Sequence, residues 1–296
     1  MINKKIFSIF RQGSTTYFYS SLFFPSYIKK EVFSLYAFVR KTDNYVDSTP
    51  QDIQGFYNFK EKYNKAINGK KTDDVIIDSF VKLINKKEIE QVWVDAFLES
   101  MEMDIRKNTY NSNEETLKYI YGSAEVIGLM MAKIMNLPKE SYYYAKYLGR
   151  SMQYINFIRD IAEDNIIGRN YFPKNELKKH KINSLNLEYT KKHPENFKNF
   201  IYEQLNKYCK WQTIAEQGYK YIPKRYLIPV KTASEMYNWT ANQIHKNPFI
   251  VYSKKVKPMI KQIITTTLLN IIDPKKPNNR LNICTIKKHI PQISYY

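Results

Sequence analysis

Two pairs of aspartates, Asp43/Asp47 and Asp160/Asp164, each four residues apart in apolar, helix-like sequence, constrain this chain more than any other feature. A spacing of i,i+4 stacks two side chains on one helix face, so each pair aims two carboxylates at one point. Like charges that close repel unless a cation sits between them, and hard oxygen ligands of this kind select Mg²⁺ or Mn²⁺. On an ordinary polar helix such a pair would be a solvated face. Here Val32-Phe33-Ser34-Leu35-Tyr36-Ala37-Phe38-Val39 precedes the first pair and Tyr154-Ile155-Asn156-Phe157-Ile158 the second. A helix apolar on nearly all sides is a buried helix, and buried carboxylates need partners. Arg40 and Arg159 stand just ahead of the two pairs, either as their salt-bridge partners or as ligands of the phosphate oxygens that a metal would also bind.

Glycine is scarce, 8 residues in all, and neither a G-x-G-x-x-G nor a Walker-type loop occurs, which disfavours a Rossmann or P-loop nucleotide site. Helical periodicity instead marks Lys30 to Val46, Ile53 to Ile67, Val75 to Ile84, Glu88 to Arg106, Glu114 to Met135, Lys139 to Asp164, Phe197 to Gly218 and Val230 to His245. Strand-like alternation is rare, so the chain reads as all-α. The expected division is a helical domain over residues 1–273 and a basic, irregular tail over 274–296, where Pro274, Pro277 and Pro291 break any helix.

Cys209 and Cys284 are far apart and form no metal-spacing motif, so a reducing cytoplasm is the default expectation and a disulfide framework is excluded. The basic opening lacks a signal-peptide core, and the longest apolar stretches, such as Ile263 to Ile272, fall short of the ~20 residues of a membrane span. The net charge of +19 has three readings. Nucleic-acid binding is not expected, because the basic residues are scattered and no recognition motif appears. Compositional drift, seen in the joint richness in Lys, Asn, Ile and Tyr, ranks ahead of attraction to anionic lipid, which would make any membrane contact peripheral.

Five segments in order resemble the squalene/phytoene synthase family of head-to-head prenyl transferases, over about Gly13 to Tyr252. They are Gly13-Ser14-Thr15-Thr16-Tyr17, Leu35 to Asp47, Met101-Glu102-Met103-Asp104, Tyr119 to Met130, and Gln153 to Asp164 with Gly168-Arg169-Asn170-Tyr171-Phe172-Pro173. The resemblance implies an isoprenoid-synthase helical fold, a single domain around a central cavity, with the acid motifs on opposite walls. It further implies that Asp43, Asp47, Asn156, Asp160 and Asp164 surround Mg²⁺ or Mn²⁺, and that Tyr36, Arg40 and Arg159 meet the diphosphates. Ser14 and Thr16 would lie in an N-terminal flap nearby, and Tyr121, Gln153, Tyr171 and Tyr237 would line the cavity. Two positions depart from the family pattern: Asn44 replaces a usual aspartate, and Glu125 a usual small residue, so that an acid either narrows the cavity or points outward.

The implied reaction joins two prenyl diphosphates through a cyclopropyl diphosphate. Phytoene from two geranylgeranyl diphosphates is the leading expectation. Squalene or dehydrosqualene from farnesyl diphosphate is the alternative, with NADPH needed only for squalene, and a catalytically silent scaffold is a further one. Aromatic residues near the acids (Tyr36, Tyr45, Tyr121, Tyr154, Phe157) serve either as core or as a cage for an allyl cation. His180, His193, His245 and His289 all fall outside the motifs, leaving released pyrophosphate or a tyrosine as the proton acceptor.

Overall fold

Short polar side chains start several helices by accepting a free backbone N–H at the first turn. Asn3 caps α1 (Lys4–Gly13), Ser14 caps α2 (Thr15–Ser21), and, after α3 (Ser26–Asp47), Asp52 caps α4 (Ile53–Ile67) and Asp74 caps α5 (Val75–Lys87). This computed structural model describes residues 2–274. α1 and α2 lay outside the segments expected from periodicity. Glu88, the expected start of the next helix, instead closes α5 in the left-handed region at φ 51°, and α6 runs Gln91–Arg106.

The run expected from Glu114 to Met135 is α7 (Asn113–Ile120), a π turn over Tyr121–Glu125, and α8 (Val126–Ile134). The run expected from Lys139 to Asp164 breaks at Asp160 into α9 (Tyr142–Arg159) and α10 (Ile161–Ile166). Then follow α11 (Lys174–Lys179), α12 (Leu187–Lys192), α13 (Pro194–Glu216), α14 (Lys224–Lys246), α15 (Ile250–Ser253) and α16 (Ile260–Ile272). The strands described are β1 (Thr109–Tyr110) and β2 (Asn170–Pro173), a short parallel pair with Thr109 opposite Asn170. Beyond Pro274 the expected basic tail lies outside the described residues. Cys209 on α13 is disulfide-bonded, which corrects the expectation of a chain without such a bond.

Two apolar clusters flank a central hollow. One joins α1, α3, α4, α5, α6 and α8 through residues such as Phe33, Phe38, Phe80 and Phe97; the other joins α9, α13 and α14 through Phe157, Phe200, Tyr208 and Ile244. α9 lies tight against α8 and the π turn because glycine occupies the crossings. A Cβ on Gly149 would stand 2.3 Å from the Ala124 carbonyl oxygen, and one on Gly128 would stand 2.2 Å from that of Ala145.

Candidate active site

α3 forms one wall of a cavity of about 770 Å³. Tyr36, Arg40, Asp43 and Asp47 fall at i, i+4, i+7 and i+11, a single helix stripe, and all four line the hollow. The Tyr36 ring stacks on Phe10 at 3.8 Å, which fixes its hydroxyl above Gly13. Ser14 and Thr16 line the same end, Ser14 also accepting the Tyr17 N–H as the α2 cap.

The facing wall comes from α9 and α10, which present Gln153, Asn156, Phe157, Arg159, Asp160 and Asp164. The break at Asp160 has a local cause: the Arg159 guanidinium forks onto the neighbouring carboxylate, Nε to Oδ1 at 2.8 Å and Nη2 to Oδ2 at 2.5 Å, and adjacent residues of a straight helix do not face each other. Backbone bonds from Asp160 N to Asn156 O and from Asp164 N to Asp160 O, both 2.8 Å, keep the acids stacked despite the break. Lys255 approaches Asp160 at 3.6 Å and pairs with Glu163.

Arg169 and Asp104, to which the sequence reading gave no role, tie the walls together. The Arg169 backbone N–H donates to the Asp164 carbonyl at 2.8 Å, while its side chain crosses to α3, donating to Asp47 Oδ1 at 2.9 Å and to the Val46 carbonyl at 2.5 Å. It also donates to the Asp104 carbonyl at 3.3 Å. The Asp104 carboxylate accepts from Tyr119 at 2.7 Å and Tyr171 at 2.9 Å, and burial, only partly offset by Arg169, pushes its carboxyl up to about 6. The signal available in sequence was the pair of quoted segments ending at Asp104 and beginning at Gly168; nothing local links them.

Asp43 is pushed up to about 8, by burial first and then by Asp47, against the pull of Arg40. Asp164 is also pushed up to about 8, by burial and Asp160, opposed by Arg169 and reinforced by Asp47 and Asp104. Asp164 thus feels Asp47 across the hollow. Asn156 Oδ1 is buried among them with no hydrogen-bond partner among the described residues. A crowded carboxylate set with an orphaned amide oxygen fits a hard divalent cation.

This crowding has a measurable sign. A carboxyl that titrates near 8 when folded, against an ordinary 3.8, holds its proton more tightly in the folded state, so metal-free stability is lost as pH rises through that window. Mg²⁺ held between these carboxylates would relieve the same repulsion. Thermal melts should therefore show a larger Mg²⁺-induced rise in Tm at about pH 8.5 than at about pH 5.5, where protons already neutralise Asp43 and Asp164. An Mg²⁺ effect independent of pH would contradict this picture.

Among the other expected residues, Tyr237 lines the cavity with its ring 5.7 Å from that of Tyr17, and Tyr171 lines it while stacking on Phe157 at 4.4 Å. Tyr121 does not line it. Its ring lies under the Lys146 ammonium instead, and Tyr119 and Ser123 face inward. Tyr119, Ser123, Ile127, Met131 and Met135 repeat every four residues along the cavity face, a spacing that drifts by about 40° per step in a straight α-helix. The π turn counters that drift. Glu125 points away from the cavity and receives Arg150 at 2.6 Å. Tyr45 and Tyr154 are also core-ward, Tyr45 against Phe59 and Tyr154 donating to Gln204. No histidine lines the cavity among the described residues.

A family model described as squalene/phytoene synthase matches residues 10–261. A phytoene synthase of Arthrospira platensis is 23% identical over 261 residues, covering 82% of this chain and 84% of its own. A 4,4'-diapophytoene synthase of Staphylococcus haemolyticus is 27% identical over 176 residues, covering 57% of this chain and 61% of its own. In structure, a ligand-bound dehydrosqualene synthase superposes with a TM-score of 0.82 at 17% identity, over 91% of this chain and 95% of the other. The fold is thus the all-α isoprenoid-synthase fold, and with a family match across most of its length this chain belongs to the squalene/phytoene synthase family and is a prenyltransferase of that type.

Proposed function

We propose that this protein condenses two geranylgeranyl diphosphates head to head into phytoene through a cyclopropyl diphosphate. One observation carries the reading: the acids and arginines of both walls gather at one end of a cavity whose other end is apolar, lined by Ile127, Met131, Ala132, Leu148, Ala233 and Met236. That polarity matches an amphiphile with a diphosphate head and a hydrocarbon tail.

In this reading Asp43, Asp47, Asn156, Asp160 and Asp164 hold Mg²⁺ or Mn²⁺, while Arg40, Arg159 and Tyr36 bind diphosphate oxygens and Ser14, Thr16 and Gln153 position them. The bound ions would stabilise the charge on departing pyrophosphate. Arg159 is already oriented by Asp160, so little reorganisation accompanies that charge development. The faces of Phe157, Tyr171, Tyr237 and Tyr17 offer the allyl cation electron density without a strong nucleophile. Burial pushes the Tyr17 and Tyr171 hydroxyls well up and raises that of Tyr237, which disfavours a tyrosinate base and favours released pyrophosphate as the proton acceptor.

Farnesyl diphosphate is the second substrate reading, suggested by the 4,4'-diapophytoene synthase relative. Incubating the purified protein with Mg²⁺ and each prenyl diphosphate, with and without NADPH, and identifying the hydrocarbon separates the two. Phytoene supports the proposal; a product formed only from farnesyl diphosphate replaces it, and no pyrophosphate release from either refutes both. Ala132→Phe, a buried cavity position, should fill the deep end and raise the preference for the shorter substrate by about tenfold or more in kcat/KM ratio. An unchanged ratio would place the chain-length determinant elsewhere.

A further inference from the structure

Away from the cavity, three metal-ligating side chains meet on the seam between α11 and α13. Glu176 and His180 stand at i and i+4 along and just past α11, so they share a face, and Glu203 reaches them from α13. One ligand atom from each lies within 4.8 Å of the other two. None of the three lines the cavity, and the reaction proposed above uses none of them. Nor do they form a solvated acidic patch, since their side chains are only 11%, 12% and 24% exposed.

Each carboxylate has one oxygen held by a lysine. Glu176 Oε1 takes Lys207 at 2.9 Å and Asn113 at 3.2 Å, and Glu203 Oε1 takes Lys179 at 2.7 Å. Burial raises both carboxyls, but these contacts outweigh it and hold them below their ordinary value, so both are ionised at neutral pH. The second oxygens differ. Glu203 Oε2 accepts from His180 Nε2 at 3.0 Å, whereas Glu176 Oε2 is buried with no hydrogen-bond partner among the described residues. Gln204, fully buried on α13, likewise leaves Nε2 without a partner there, although its Oε1 accepts from Tyr154 at 2.5 Å. Burial, and then Glu176 and Glu203, push that Tyr154 hydroxyl up, which places the Gln204 amide among the same charges. Buried polar atoms are nearly always paired, so an unmet carboxylate oxygen and an unmet amide N–H on one seam point to a bound species.

We propose that Glu176, His180 and Glu203 bind a divalent transition-metal ion of the Zn²⁺ class, at a site separate from the cavity aspartates. Imidazole with carboxylate suits Zn²⁺ better than Mg²⁺, and bonds of about 2.0–2.2 Å to one ion suit ligand atoms already gathered this closely. Lys207, Asn113 and Lys179 are the supporting partners that orient ligating carboxylates. Three protein ligands leave one tetrahedral position for a water, which can accept the Gln204 N–H. Binding moves the imidazole proton from Nε2 to Nδ1. Because α11 packs on β2 and α13 packs on α9, the ion would brace the strand that carries Tyr171 against the helix that carries Asn156.

Isothermal titration of Zn²⁺ into metal-stripped, full-length protein tests this without prenyl substrate, so its outcome is separate from that of the reaction. The Asp43→Ala protein in excess Mg²⁺ is the background, which keeps the cavity acids from competing. It should take up one Zn²⁺. Adding His180→Gln or the nearly isosteric Glu203→Gln, each checked for wild-type circular dichroism, should weaken that binding at least about tenfold, because even the partners of metal ligands are commonly worth that much. No Zn²⁺ uptake by the Asp43→Ala protein, or unchanged affinity in either folded double variant, would overturn the proposal.

Discussion

Asp43→Ala and Asp160→Ala are each expected to lower turnover by about a thousandfold or more while the helical circular dichroism signal is retained. Loss of one preorganised charge-stabilising group commonly costs two to three orders of magnitude, and these carboxylates would hold the ions as well as the geometry. The two variants should differ in stability. Asp43 is half-buried beside Asp47 with its carboxyl pushed up to about 8, so removing it relieves repulsion, and metal-free Asp43→Ala should melt at or above the wild-type temperature while losing most of the Mg²⁺-induced rise. Asp160→Ala instead strips the fork from the Arg159 guanidinium, leaving it near Lys255 without its carboxylate, and should melt lower. Turnover within tenfold of wild type in either variant would remove the metal-holding role assigned to that pair.

Arg169→Ala should cost both stability and activity. The side chain is 5% exposed and satisfies Asp47, the Val46 carbonyl and the Asp104 carbonyl at once. Removing it leaves the half-exposed Asp47 without its cation and the Val46 and Asp104 carbonyls with Gln51 as their remaining side-chain donor, typically at about 1–3 kcal/mol. Asp47 would also lose the contact that holds it toward the facing wall, so kcat should fall by about a hundredfold or more. Arg169→Lys keeps the charge but cannot span three acceptors, and should recover part of the stability and little of the activity. An Arg169→Ala protein with wild-type denaturant midpoint and kcat within threefold would show that the walls are held together by other means.

Much of this architecture could be read along the chain. The helices α3 and α4 match their apolar periodicity closely, and the aspartate pairs are visible because i,i+4 spacing is a local property that survives even the break at Asp160. α1 and α2 were missed in the same local reading, although Asn3 and Ser14 are good caps, because short helices carry little periodic signal. Tyr121 was placed in the cavity and Tyr119 was not, since a π turn alters helical phase and has no sequence signature comparable to a proline or glycine.

What the sequence by itself determined is the helical class, the two carboxylate pairs and the arginines beside them, each set by residues within a turn or two of one another. Only the tertiary structure decided that the pairs converge, that Arg169 bridges to Asp47 from 122 positions away, that Asp104 is anchored by Tyr119 and Tyr171, and that α16 turns Thr266, Thr267 and Asn270 inward and Leu268, Ile271 and Ile272 out. The reason is physical. Periodicity reports which residues share a helix face, but not which face another helix will cover, and contacts between distant segments are chosen by the packing of the whole chain.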